Sequence, residues 1–167
     1  DAVVLMIGRW EVGYTKFRRW RDGCNASLAA RVACLADDYE HGLNATLTII
    51  RERMPAVRIV LCSVNQYGSL LVEGVCRGCA AYSDIWLAAT YEIAFRTANV
   101  ATAYGAAFID QHELTNAHPL VRTSGFYQRP TDPGWHLAEP SDVSFTTAML
   151  VLRAICAGAH NRSETQL

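Results

Sequence analysis

The chain has 167 residues, 51% of them apolar, with 15 basic and 16 acidic side chains and a net charge of −1. That length and apolar share suit one domain built on one core, and the balanced charge lacks the cationic excess that a nucleic-acid backbone demands. No apolar run approaches the roughly 20 residues that cross a bilayer, so no membrane span is expected in this segment.

The chain opens on Asp1 without methionine and enters a strand-like run at once, as expected of a processed chain or of part of a longer one. Val3-Val4-Leu5-Met6-Ile7-Gly8 is a continuous apolar run closed by glycine, the pattern of a strand buried on both faces. Leu28, Val32, Leu35 and Tyr39 then recur at three and four residues, and Leu47, Ile50 and Met54 extend the stripe until Pro55 stops it. Gly42 marks a point where this helix can bend or break. Val57 to Val64 reads as a second buried strand. Ser83 is a plausible N-cap with Asp84 in the first turn, opening a helix to about Ala103 with Leu87, Tyr91, Phe95 and Ala98 on one face. Gly105 terminates it, and Ala106 to Asp110 forms a third, shorter strand.

A thirty-residue connection, Gln111 to Pro140, separates this strand from a last helix that starts after Pro140-Ser141-Asp142. Phe145, Met149, Leu152 and Cys156 lie on one face of that helix. The segment 158–167 reads as a polar, fraying tail, which leaves one domain over 1–157. There is no internal repeat. The alternation of strands and helices predicts an α/β fold of three layers, with a parallel, doubly wound, flavodoxin-like sheet covered on both sides.

Six cysteines, Cys24, Cys34, Cys62, Cys76, Cys79 and Cys156, permit up to three bridges, and spacing alone does not assign them. Sequons at Asn25, Asn44 and Asn161 agree with passage through the secretory pathway. Cys76-Arg-Gly-Cys79 is open to a sharper reading as a redox dithiol or half a zinc site with His112 or His118. It lacks a second close Cys/His pair, so a disulfide or plain buried thiols is preferred, with no metal.

In a doubly wound sheet, ligands bind beyond the carboxyl ends of the strands. That rule singles out Arg9-Trp10-Glu11, Ser63 to Gln66 and Asp110 to Glu113, with the long connection leaving the same edge. This connection carries His118, Asp132 and His136 among prolines. Asp132-Pro-Gly-Trp-His136 would hold a carboxylate and an imidazole on one stiff turn, the pairing a general base needs to keep its tautomer and to stabilise its protonated form. The plainer alternative is a solvated surface turn.

Taken in order, DAVVLMIGRWE, MPAVRIVLCSV, TAYGAAFIDQHE and DPGWHLAEPSDVSFTTAMLVL resemble the G-x-N-D block, two internal strands and the closing Asp-x-x-His block of the SGNH/GDSL hydrolase family of esterases and lipases. The resemblance covers most of the chain. It implies an SGNH-type domain truncated at its N-terminus, because the family's Gly-Asp-Ser nucleophile block would precede Asp1 and would be supplied by an upstream part of the same protein. It casts His136 as the base and Asp132 as its orienting carboxylate, one residue further away than in the family pattern, with Glu139 and Asp142 as alternatives. It casts Gly8, Arg9, Trp10 and Glu11 as the oxyanion and substrate-binding turn, with Trp10 where the family has asparagine. Loss of one oxyanion donor costs about 10²–10³ in rate, and Arg9 can offset it by holding negative charge.

The resemblance implies ester hydrolysis through an acyl-enzyme, without metal or organic cofactor, on a small-molecule or glycan ester such as an O-acetyl group, in a secreted protein. Acyl transfer would use the same machinery. Ser63 and Ser69 lack the Gly-x-Ser-x-Gly elbow of an internal nucleophile, and Ser63 reads as a strand-end serine. His112 reads as a solvated loop histidine. One rival is a binding domain that kept this fold and lost the chemistry, for which Trp10 argues. The other is a nucleotide or redox domain using Cys76 and Cys79, which would need a phosphate-cradling glycine loop that the sequence lacks.

Overall fold

The computed structural model describes residues 1–8, 12, 22–65, 83–117 and 142–163. Within them the order is β1 (Ala2–Met6), α1 (Leu28–Arg53), β2 (Arg58–Cys62), α2 (Ser83–Ala103), β3 (Ala107–Ile109), α3 (Gln111–Asn116) and α4 (Asp142–Ser163). The three strands form one parallel sheet in the order β1-β2-β3, with Val4 opposite Val60, Met6 opposite Cys62, and Cys62 opposite Ile109. The strand and helix order expected from the sequence is present, and the α/β class with it. Because strand order follows chain order, no switch point of a doubly wound sheet falls among the described strands.

Parallel pairing needs a long return path, which α1 and α2 supply. Both pack on one face of the sheet, where Leu35, Leu47, Trp86 and Ile93 meet Ile59 and Leu61. The other face, formed by Val60, Cys62 and Ile109, is covered by Leu150, Val151, Ala154 and Ile155 of α4. The sheet therefore sits between two helical layers.

Local chemistry explains the element ends. Ser27 caps α1 by accepting the Ala30 N–H at 3.1 Å, and the helix continues through Gly42 without a break. Gly105 adopts φ +59° behind α2, so that Ala106 N–H reaches the Ala101 carbonyl at 2.9 Å and Gly105 N–H the Thr102 carbonyl at 3.3 Å. These are the paired bonds of a left-handed helix terminus, a conformation glycine adopts without steric penalty. Arg51 joins the turns that lead into β2 and β3, donating to the Val57 carbonyl at 2.6 Å and to the Tyr104 carbonyl at 3.0 Å. Arg96 on α2 ties that helix to α1 by bonding Glu40 and lying 3.3 Å from Asp37, while Glu92 on its own helix holds the guanidinium in place.

Four expectations need correction. The β1 run is not buried on both faces: Val3 and Leu5 pack on the helical core, whereas Val4 and Met6 are 42% and 47% exposed. They share the face that α4 covers only over β2 and β3. The connection after β3 is not irregular at its start, since Asp110 caps the short helix α3 by accepting the Glu113 N–H at 3.0 Å. The stripes read on the last two long helices are largely exposed, although Leu87 packs partly against the core. Tyr91 and Phe95 of α2 are exposed while Trp86, Ala89 and Ile93 are buried, and α4 packs through Val143, Leu150 and Val151 while Phe145, Met149 and Leu152 face outward. Both helices are apolar on two sides, so periodicity alone could not choose between faces. Finally, α4 continues to Ser163, into the segment expected as tail.

A disulfide joins Cys24 to Cys34, tethering the turn before α1 to the helix. Cys62 is a buried free thiol and Cys156 an exposed one, while Cys76 and Cys79 lie outside the described residues. Among the described residues no helix is long and apolar enough to cross a membrane. Opening the short loop by Cys34→Ser should lower unfolding stability by about 2–3 kcal/mol through the added freedom of the unfolded chain. Urea denaturation checks this: the variant should unfold earlier than wild type in oxidising buffer, and the difference should disappear in reductant.

Candidate functional site

Three parallel strands deliver their carboxyl ends to one edge, where Gly8, Ser63 to Asn65 and Asp110 to His112 follow β1, β2 and β3. Gly8 is buried at the tip of β1 with φ +111°. A Cβ built there would lie 2.9 Å from Ile93 Cγ2, 3.1 Å from Tyr39 Cε2 and 3.2 Å from Val64 Cγ1. Backbone angle and space thus both exclude a side chain. The Tyr39 ring beneath Gly8 is fixed in turn, its hydroxyl 2.8 Å from Thr97 Oγ1, which donates to the Ile93 carbonyl at 2.6 Å. The Gly8 carbonyl accepts the Val12 N–H at 3.2 Å, and Val12 is buried in the core. These bonds hold Gly8 and Val12 in place.

The ends of β2 and β3 are fastened to each other. Ser63 N–H donates to the Ile109 carbonyl at 3.0 Å, extending the ladder past Cys62. Its hydroxyl donates to Asp110 Oδ1 at 2.9 Å and accepts the His112 N–H at 2.9 Å. Ser63 is fully buried. With its proton directed to a carboxylate, it is a strand-end fastener and not a nucleophile, as the missing elbow predicts. Cys62 beside it is equally inert, because burial pushes its thiol up to about 11.

His112 departs from expectation. It lies in α3, buried, with its ring edge-on to Tyr91 at a centroid distance of 6.0 Å. Burial drives its imidazole below the ordinary value of 6.5, opposed by the charges of Asp110 and Glu113. At neutral pH it is an uncharged group behind the sheet edge. Nearby, Gln111 Oε1 and Thr147 Oγ1 are buried without a hydrogen-bond partner, on helices α3 and α4 that pack together. A cavity of about 530 Å³ lies along β3, between α3 and α4, lined by Phe108, Leu114 and Leu150 with Asp110, Glu113 and Arg153 at its polar side. It is on the far margin of the sheet from Gly8.

Of the residues singled out from the sequence, Gly8 is at the strand tip as expected, whereas Arg9, Trp10, Glu11, Asp132, His136 and Glu139 lie outside the described residues. Asp142, the other alternative carboxylate, is the first residue of α4. The Tyr39–Thr97 support under Gly8 had no sequence signal, because two residues 58 positions apart on different helices become neighbours only after folding. Among the described residues there is no cluster of histidine, cysteine and carboxylate side chains able to hold a metal.

No family model matches the chain, and no curated protein does. Among solved structures it is similar in fold to an extracellular lipase from Streptomyces rimosus, with 22% identity and a TM-score of 0.50. The match takes in 83% of this chain and 62% of the lipase, so the chain spans less than two thirds of that enzyme's length. The likeness is one of fold.

Two measurements test this edge. Gly8→Ala should destabilise the protein by on the order of 2 kcal/mol, the scale of a misplaced Cβ in left-handed backbone, seen as an earlier thermal midpoint. His112 should titrate below 6.5 by proton NMR. Since its unfolded value is the higher one, the unfolded chain binds the proton first as pH falls. Its contribution is therefore complete above about 6.5 and declines below that pH until the folded-state value is passed, and His112→Gln should flatten this part of the stability profile.

Proposed function

We propose that the chain is the carboxyl-terminal part of an SGNH-like hydrolase domain that cleaves carboxylic esters, with O-acyl groups on a glycan as the favoured substrate class. The observation that carries this reading is the agreement between two independent lines. The ordered blocks from DAVVLMIGRWE to DPGWHLAEPSDV resemble those of esterases and lipases, and the strand–helix frame resembles that of an extracellular lipase. The edge itself agrees with it, since a side chain at position 8 is excluded where the family pattern has glycine. The Cys24–Cys34 bridge and the sequons support a secreted setting.

In this proposal the serine is supplied by a preceding part of the same protein, which adds strands to the free edge of β1 and covers Val4 and Met6. That serine attacks the ester carbonyl, and His136 accepts its proton and returns it to the leaving alcohol. Asp132 holds the imidazole tautomer, with Glu139 and Asp142 as alternative carboxylates. The developing oxyanion faces the Gly8–Glu11 turn, where backbone amides, Arg9 and the Trp10 indole N–H are the donors. No metal or organic cofactor takes part. One domain that includes α4 carries these groups. Acyl transfer to a second sugar differs only in the acceptor.

Trp10, in place of an amide side chain, favours a second reading, in which the fold binds an acylated glycan without cleaving it. Fluorophosphonate labelling of the full-length protein separates the two. Hydrolase chemistry predicts labelling of an upstream serine that persists in Ser63→Ala, and a fall in kcat/KM of about 10⁴–10⁶-fold in His136→Ala. A correctly placed upstream serine that stays unlabelled would support the binding domain.

A further inference from the structure

The cavity along β3 has no part in the ester chemistry proposed above, yet its walls are chemically divided. Its volume of about 530 Å³ lies in the range of small-molecule pockets, which are mostly apolar with a few placed polar groups. Phe108 of β3, Leu114 of α3 and Leu150 of α4 form the apolar part. Asp110 and Glu113 stand on the β3–α3 side of the mouth, and Arg153 stands on the α4 side as the only charged residue between Val143 and Ala157. Among the described residues no ion pair joins the two sides. Asp110 accepts the Ser63 hydroxyl and the Glu113 N–H on the same oxygen, Oδ1, and neither bond uses Oδ2.

Opposite charges held apart over an apolar floor select a ligand whose own charges are arranged in the reverse sense. An anion alone would meet two carboxylates, and a cation alone would meet the guanidinium. Two buried groups next to the cavity fix which end goes where. Gln111 and Thr147, 4% and 5% exposed, leave Oε1 and Oγ1 without a partner, one residue from Asp110 and one turn from Leu150. An amide oxygen is satisfied only by a donor, which an ammonium group supplies and a carboxylate does not.

We propose that the cavity binds a small zwitterion with an apolar body, the chemistry of an apolar α-amino acid. Its ammonium group lies toward Asp110 Oδ2 and Glu113, and its carboxylate pairs with Arg153, whose guanidinium offers a fork of donors. Its side chain rests on Phe108, Leu114 and Leu150. The apolar contact supplies most of the affinity and the charges supply the choice of ligand, because ion pairs at an open rim contribute little one at a time. Gly8 is on the other margin of the sheet, so a ligand here leaves the tip of β1 open.

Titration of the full-length protein with L-phenylalanine, followed through the amide shifts of α3 and α4, tests the site. The expected result is saturable shifts around Phe108, Leu114 and Leu150 with a Kd on the order of 1 mM, the scale that about a dozen heavy atoms allow. Phenethylamine, which lacks the carboxylate, and phenylpropionate, which lacks the amine, should each bind about fivefold more weakly, an exposed ion pair being worth up to about that factor. Arg153→Met should bring phenylalanine down to the affinity of phenethylamine, and Glu113→Gln should weaken phenylalanine while leaving phenylpropionate no weaker. Both side chains are exposed, so the thermal midpoints of the two variants should match wild type. An absence of shifts at about 20 mM, one-charge analogues that bind as tightly as phenylalanine, or a phenylalanine affinity unchanged in either variant would overturn the proposal. None of these readouts involves an ester, so the site stands or falls separately from the hydrolase reading.

Discussion

Strands that run parallel cannot be joined by a tight turn, and in this protein that constraint decides where every other feature lies. Each of β1 and β2 must return to the opposite end of the sheet before the next strand can pair, so α1 and α2 are obligatory and all three strand tips open on one edge. The same geometry stacks both return helices on one face and leaves the other to α4. Chemistry on this scaffold has one natural place, the carboxyl edge.

The edge is organised by two different devices. Beneath β1 the support is steric: Tyr39, Ile93 and Val64 fill the space under Gly8 so completely that only hydrogen fits, and the Tyr39–Thr97 bond prevents the ring from yielding. Between β2 and β3 the support is polar. Ser63, Asp110 and the amides of His112 and Glu113 satisfy one another, so that burying the Ser63 hydroxyl beside a half-buried carboxylate incurs little desolvation penalty. The first device sets where the chain after β1 departs, and the second fixes the level at which α3 begins.

Sequence periodicity recovered the frame because runs such as RIVLC in β2 are too apolar to be anything but internal, and because Pro55 and Gly105 follow the ends of α1 and α2 as their backbone chemistry dictates. It failed where a helix is apolar on two sides. In α2 and α4 the larger aromatic and aliphatic residues, Tyr91, Phe95, Phe145 and Met149, drew the packed face to the wrong side, while smaller residues such as Ala89, Ala94 and Ala154 allow the close approach that packing requires. The carboxyl edge was legible as a place, through Gly8 and the positions after β2 and β3. Its internal bonds were not, since Ser63 and Asp110 are 47 residues apart, and buried His112 carries no local mark to distinguish it from a solvated histidine.

The proposed mechanism turns on one spatial relation, an imidazole from the long connection meeting the tip of β1. Isotope-edited NOE spectroscopy on the full-length protein measures it without reference to any substrate. The account predicts cross-peaks from the His136 ring protons to the amides of Gly8, Arg9 or Trp10. A His136 ring with no such contacts and fast exchange with bulk water would contradict it.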